Sequence, residues 1–251
     1  FALLWEEMEK LGEPIEGIYE RNDIALRRKE GMCEGAGWAA GFEHPNSTLT
    51  QIVENGIRYE VDFGEGQKTG YNRAAAARLA QGRTVLDCCT HTGSFALNAA
   101  KGGAQRVIAA DISASALASA KRNAQLNGLE AKMEFVQGDV FDLLADEKWK
   151  TQGIDYIILD PPAFTKSRKT VRNAYQGYCQ INTLAMKLLP RGALLATASC
   201  SHFMEDAMFE VMLQEAAQKA KVELRQIEVR HQAPDHPILM SVPETRYLKF
   251  Y

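Results

Sequence analysis

Hydrophobic and polar positions along the chain fall into two regimes. Residues 2–11 have the spacing and charge of a helix, and the short apolar runs that follow are broken by Gly and Pro. Leu49-Thr50-Gln51-Ile52-Val53 and Ile57-Arg58-Tyr59-Glu60-Val61 flank Glu54-Asn55-Gly56. Asn-Gly tolerates the positive φ angles of a tight turn, so a β-hairpin is expected there. The glycine-rich stretch 64–70 is the natural junction. From Thr84 onward, apolar runs of strand length alternate with amphipathic stretches of helical length. Strands are expected at 84–88, 106–110, 132–136, 154–159, 193–199, 222–229 and 246–250, and helices at 94–101, 114–127, 171–189 and 204–220. Gly128 is placed to end the second of these helices, and Pro190 stops the third.

A β-α-β-α rhythm of this kind means parallel strands joined by right-handed crossovers. Between the last two strands the loop is too short for a crossover helix and long enough for an antiparallel return. The expected fold is therefore α/β: a Rossmann-like, seven-stranded sheet with an antiparallel last strand, preceded by a small α+β domain. The division falls between residues 1–66, an accessory domain containing the hairpin, and residues 67–251. Nothing repeats along the chain, which excludes a solenoid.

Composition supports a soluble globular protein: 251 residues with 46% apolar and 24% charged side chains. No apolar run approaches the roughly 20 residues needed to cross a bilayer. The formal charge of −3 argues at first against a nucleic-acid partner, but it conceals an asymmetry. Residues 1–70 carry 7 basic and 14 acidic side chains, whereas residues 71–251 carry 22 and 18. A polyanion should meet the second part. Five cysteines, Cys33, Cys88, Cys89, Cys179 and Cys200, show no paired spacing, so the expected home is a reducing cytoplasm. His91, His202 and His236 are not spaced as metal ligands, and no metal is expected.

Ligands of open α/β sheets bind beyond the carboxyl ends of the strands. Four strand ends in succession carry an acid: Asp87 before Cys88-Cys89-Thr90-His91-Thr92-Gly93-Ser94-Phe95, Asp111 before Ile112-Ser113, Asp139 before Val140, and Asp160 before Pro161-Pro162-Ala163-Phe164. Each acid also has a purely local role open to it, as a helix N-cap or turn residue. A dinucleotide site would need more glycines than Gly93 alone, because a pyrophosphate must approach the backbone closely. A nucleoside with a cationic tail fits better. Asp87 would face positive charge, Gly93 would allow close backbone approach, Asp111 would accept from the ribose hydroxyls and Asp139 from an adenine amino group. That ligand is S-adenosylmethionine.

The stretch 64–251 resembles the class I S-adenosylmethionine-dependent methyltransferases. More narrowly it resembles the bacterial large-subunit (23S) ribosomal RNA cytosine-5 methyltransferase family. The resemblance rests on Gly66-Gln67-Lys68-Thr69-Gly70, the Asp87 loop, Asp160-Pro161-Pro162-Ala163-Phe164, Ser199-Cys200-Ser201-His202 and Gln232-Ala233-Pro234-Asp235-His236-Pro237. It implies cofactor contacts from Lys68, Thr69, Asp87, Thr90, Gly93, Ser94, Phe95, Asp111, Ile112, Ser113, Asp139, Val140, Asp160 and Pro161. The N-terminal unit is similar to that family's middle domain. Two departures stand out: the family's N-terminal PUA-type RNA-binding domain lies outside this sequence, and several family residues are missing between Tyr71 and Asn72.

Within that resemblance Cys200 is the expected nucleophile, since C5 of a pyrimidine gains nucleophilicity only when something adds to C6. Its polar neighbours Ser199, Ser201 and His202 suit thiolate formation; the alternative is a small buried residue. Asp160 would hold and protonate the base edge. Pro161 and Pro162 offer only carbonyls, Pro162 and Phe164 would contact the base, and Phe164 could stack on it or simply cover a stiff turn. Lys166, Arg168 and Lys169 form a basic run that is either a phosphate clamp or a solvated surface. The expected partner is large-subunit ribosomal RNA, with no membrane and with room for a homodimer. Methylation at a guanine or adenine nitrogen, a non-catalytic RNA-binding assembly factor and an NAD-dependent oxidoreductase are the alternatives.

Overall fold

The computed structural model describes residues 1–23, 26–64, 72–165, 167–234, 236–242 and 245–251. Its chain divides into two units, Phe1–Val53 with Tyr59–Lys68, and Glu54–Arg58 with Thr69–Tyr251.

In the first unit, helix α1 (Ala2–Lys10) buries none of its residues, and a short α2 (Leu26–Lys29) separates strands β1 (Tyr19–Arg21) and β2 (Ala36–Trp38), which pair antiparallel. Packing here is aromatic: Tyr19 and Phe63 meet the Trp38 ring edge-on at 5.2 and 5.6 Å, and His44 stacks on it at 4.9 Å. The hairpin consists of β3 (Leu49–Glu54) and β4 (Ile57–Asp62), with Asn55 and Gly56 at φ 53° and 70° as the turn requires. Its tip lies in the second unit, where Lys101 Nζ donates to the Asn55 and Gly56 carbonyls and the Asn127 side chain bonds to the Arg58 N–H and C=O.

The second unit is built on β5 (Thr84–Cys88), β6 (Arg106–Asp111), β7 (Met133–Gln137), β8 (Tyr156–Leu159), β9 (Leu194–Ser199) and β10 (Lys249–Phe250). Their order is β10-β9-β8-β5-β6-β7, parallel except for β10, which runs antiparallel to β9. The connecting helices are α3 (Arg73–Leu79), α4 (Ser94–Lys101), α5 (Ala114–Leu126), α6 (Val140–Ala145), α7 (Val171–Leu188) and α8 (Asp206–Ala220). Strand period decides the two faces. Leu86, Cys88, Ile108, Ala110, Ile157 and Leu159 join the core formed with α7 and α8, whereas Asp87 between them reaches the N–H of Ala96 on α4. Because β5 pairs with β6 on one side and β8 on the other, the strand order switches there, and the cleft of the fold opens at its carboxyl end.

Two expectations are corrected. The sheet has six strands among the described residues, because residues 222–229 form none; only Arg230 bridges to Phe250. Val222 and Leu224 alternate on one face, but Ile227 and Val229 fall on the other, so no single face could be buried, and Val222, Leu224 and Ile227 are exposed. Helices α3 and α6 stand where no element was expected. Four consecutive alanines, 74–77, and the capping Asp139 were the available signals.

α3 lies directly against α4. A Cβ on Gly102, which caps α4, would stand 2.2 Å from the Ala77 carbonyl oxygen. Gly102→Ala must therefore push α3 away, and it is expected to lower the melting temperature by about 4–8 °C, for a cost of roughly 2 kcal/mol. Unchanged melting in circular dichroism would contradict this packing.

Candidate active site

The loop after β5 is tightly wound: Cys89, His91 and Gly93 have φ of 63°, 52° and 85°. Such conformations are costly for side-chain-bearing residues, and here neighbouring groups hold them. The Thr90 N–H donates to the Ala110 carbonyl, the His91 N–H to Asp111 Oδ2 at 2.8 Å, and Asn123 Nδ2 to the Thr92 carbonyl. At Gly93 a Cβ would lie 3.1 Å from the Ala120 methyl, in a backbone region that L residues rarely adopt.

Asp87 is fully buried. Its Oδ2 accepts from Thr90 Oγ1 at 2.6 Å and from the Ala96 N–H at 2.9 Å, while Oδ1 is buried with no hydrogen-bond partner among the described residues. Burial pushes this carboxyl up to about 7; the charges of Asp160 and Asp111 add to the rise, and the Thr90 and Ala96 bonds oppose it. Asp111 is aimed by two backbone donors, the His91 N–H on Oδ2 and the Ser113 N–H on Oδ1. Beside it the Ile112 side chain is 65% exposed. Ser113 caps α5 by accepting from the Ala116 N–H, and Asp139 caps α6 by accepting from the Phe141 N–H, so the local role open to the acids does apply to Asp139.

Cys89, which had no assigned part, lies among all four strand-end acids. Burial holds its thiol far above the ordinary range, and Asp111, Asp87, Asp160 and Asp139 each push in the same direction. The four carboxylates therefore converge on one end of the sheet.

Asp160 follows β8, and burial pushes it up to about 6 against the pull of Arg73. Arg73 was not anticipated. It is the first residue of α3, is 1% exposed, and pairs with Glu54. The burial of a charged residue here had no local signal in the sequence.

Cys200 follows β9, whose neighbour is β8, and it is partly buried. Burial raises its thiol above the ordinary range and Asp160 adds to this, while the N–H groups of Cys200 and Ala163 and the Lys249 ammonium pull it down. Ser201 is buried with its hydroxyl 3.1 Å from Tyr178 Oη, and the Ser199 hydroxyl accepts from the Ser201 N–H.

The partly exposed Phe164 ring packs on Tyr178 at 4.5 Å and Phe141 at 6.1 Å, so it does cover the turn. Phe95 is likewise turned into the core, stacked on Phe250 at 5.9 Å. Thr90 and Gly93 are buried in the loop, Ser94 and Val140 are partly exposed, Pro161 is buried, and Pro162, Arg168 and Lys169 are exposed. Lys68, Thr69, the junction at Tyr71, Lys166 and Asp235 lie outside the described residues.

Convergent strand-end acids on a parallel α/β sheet, with one glycine where a dinucleotide site has several, define a nucleoside-binding transferase fold rather than a pyrophosphate site. The chain belongs to the S-adenosylmethionine-dependent methyltransferases, the family so described matching residues 23–246. It is 42% identical over 239 residues to the ribosomal RNA large subunit methyltransferase I of Aeromonas hydrophila, covering 92% of this chain and 60% of that protein. A protein of the same name from Pseudoalteromonas atlantica is 42% identical over 243 residues, covering 94% and 61%. The chain thus spans about three-fifths of the length of the curated relatives it matches. Among solved structures it is similar to SMU.776 complexed with SAH, with a TM-score of 0.77 and 23% identity, covering 98% of this chain and 63% of that one. It is also similar to Trm5b from Pyrococcus abyssi, with a TM-score of 0.69 and 19% identity, covering 98% and 66%.

The residues present fit S-adenosylmethionine. The unpartnered Asp87 oxygen, the Gly93 conformation, the oriented Asp111 carboxylate and the exposed Ile112 match a cationic tail, close backbone approach, ribose hydroxyls and an apolar purine face.

The sign of the pH dependence follows from Asp87. Its folded value of about 7 lies above the ordinary 3.8, so the ligand-free protein holds the extra proton and loses stability as pH rises from about 4 to about 7. A cation beside it favours the carboxylate and releases that proton. Affinity for S-adenosylmethionine is therefore expected to rise with pH up to about 7 in calorimetric titrations. Asp87→Asn should weaken binding by roughly tenfold or more and flatten that dependence. Unaltered affinity and pH profile in the variant would contradict the assignment.

Proposed function

We propose that this chain methylates C5 of a cytosine in large-subunit ribosomal RNA through a covalent Cys200–C6 adduct. The observation that carries the reading is the placement of Cys200 and Asp160 at the ends of two adjacent parallel strands, within electrostatic reach of each other. The name shared by the relatives supplies the RNA class.

In this reading Asp87, Gly93 and Asp111 bind the cofactor's tail, its backbone-facing side and its ribose. Bound S-adenosylmethionine supplies a methyl group on a sulfonium, an electrophile with a neutral leaving group. Cys200 loses its proton and forms the S–C6 bond, and the C5–C6 π electrons become available at C5. Asp160, with a value of about 6, donates a proton to N3 as negative charge develops there. Arg73 keeps that carboxyl from rising further. Once the new C–C bond is made, loss of the C5 proton to solvent, expulsion of the Cys200 thiolate and return of the N3 proton to Asp160 restore the ring. Exposed Arg168 and Lys169, in the 3-10 turn that precedes α7, hold flanking phosphates.

A second reading, methylation at a base nitrogen without an adduct, draws on one observation: the Cys200 thiol sits above its ordinary range. Labelled S-adenosylmethionine and ribosomal RNA separate the two. Wild type is expected to place label at C5 of cytosine, and Cys200→Ala to lose at least about a thousandfold in rate. Full transfer by the alanine variant would remove Cys200 as nucleophile and favour a nitrogen acceptor.

A further inference from the structure

Lys249 lies in β10, opposite Ser199 of β9, and is 1% exposed. Its Nζ donates to the Ser201 carbonyl at 2.7 Å and to the Tyr247 carbonyl at 2.8 Å. Among the described residues no carboxylate lies within ion-pair distance of it. A lysine buried on these terms is costly, because its charge has exchanged water for two carbonyl oxygens. The antiparallel return strand carries it to the sheet edge beside the segment that bears Cys200.

We propose that Lys249 is a positioning residue for Cys200, holding the segment that follows the thiol through the Ser201 carbonyl and supplying the positive charge against which the thiolate forms. The proposal rests on the reading of Cys200 as nucleophile. The step concerned is simple ionisation: the S–H bond breaks, its electron pair stays on sulfur, and the proton leaves to solvent.

The charged and titratable groups on each side are few. Cys200 is met by Asp160, which disfavours the thiolate, by Lys249, which favours it, and by the Tyr178 phenol. Lys249 is met by Asp206, Cys200 and Glu205, each of which favours its ammonium form against the burial that lowers it to about 8. Lys249 is thus charged below about pH 8 and neutral above it, so its help to the thiolate is present at neutral pH and fades as pH rises. Asp206 and Glu205, at the start of α8, extend that help upward.

Iodoacetamide alkylation of the full chain between pH 6 and 10, followed at the peptide bearing Cys200 by mass spectrometry, tests this directly. Lys249→Met is expected to slow Cys200 alkylation about tenfold at pH 7, where Lys249 is charged, and to leave the rate above about pH 9 unchanged. Lys249→Gln, which keeps hydrogen-bond donors without charge, should behave like Lys249→Met; a purely structural clamp would be restored by it. Wild-type profiles in both folded variants would overturn the proposal. Should neither variant fold, Asp206→Asn serves instead, because it leaves Lys249 in place and lowers the pH at which its charge is lost. Slower Cys200 alkylation near pH 7.5, by about two- to threefold, supports the proposal, and an unchanged rate overturns it. Methyl transfer by Cys200→Ala reports separately on the nucleophile: full activity there would remove the reading beneath the proposal, whatever the alkylation profile.

Discussion

Burial of the Asp87 carboxyl at the end of β5 is the constraint around which the second unit is arranged. A carboxylate taken out of water needs hydrogen bonds, and the loop supplies them from the Thr90 hydroxyl and the first turn of α4. Delivering those donors from so short a connection forces Cys89, His91 and Gly93 into left-handed conformations, and Asp111 on the next strand helps to hold them there. Among the described residues one oxygen has no hydrogen-bond partner, and this supports the proposed role of Asp87 toward a cationic ligand.

The same economy governs the other side of β5. Asp160 and Cys200 sit at the ends of β8 and β9, and each is held away from its charged form by burial. Buried cations temper this from opposite directions, Arg73 from α3 and Lys249 from β10. A site of this kind holds its thiol in the neutral form and brings its acid to titrate near 6, which in the proposed reaction places thiol ionisation in the bound complex.

Legibility in the sequence followed locality. The parallel strands and their helices were readable because each is a buried run with its own period, and Asn55-Gly56 announced its turn. Residues 222–229 misled because β-like composition hid a change of face between Leu224 and Ile227. The four acids were legible as a set, since strand ends in this architecture share one rim. Arg73, Cys89 and Lys249 were not, because their importance lies in what the topology brings beside them. The partners of the Phe164 and Phe95 rings were hidden for the same reason: only the fold shows that each packs against another aromatic.

The central claim is that carbon, not nitrogen, receives the methyl group, with Cys200 bound to the ring in passing. RNA carrying 5-fluorocytosine tests it most directly, because the fluorinated C5 has no proton to lose and the methylated adduct cannot collapse. Mass spectrometry of the protein incubated with S-adenosylmethionine and that RNA should find the Cys200 peptide joined to a methylated fluorocytosine. A methylated base released freely, with Cys200 unmodified, would contradict the account.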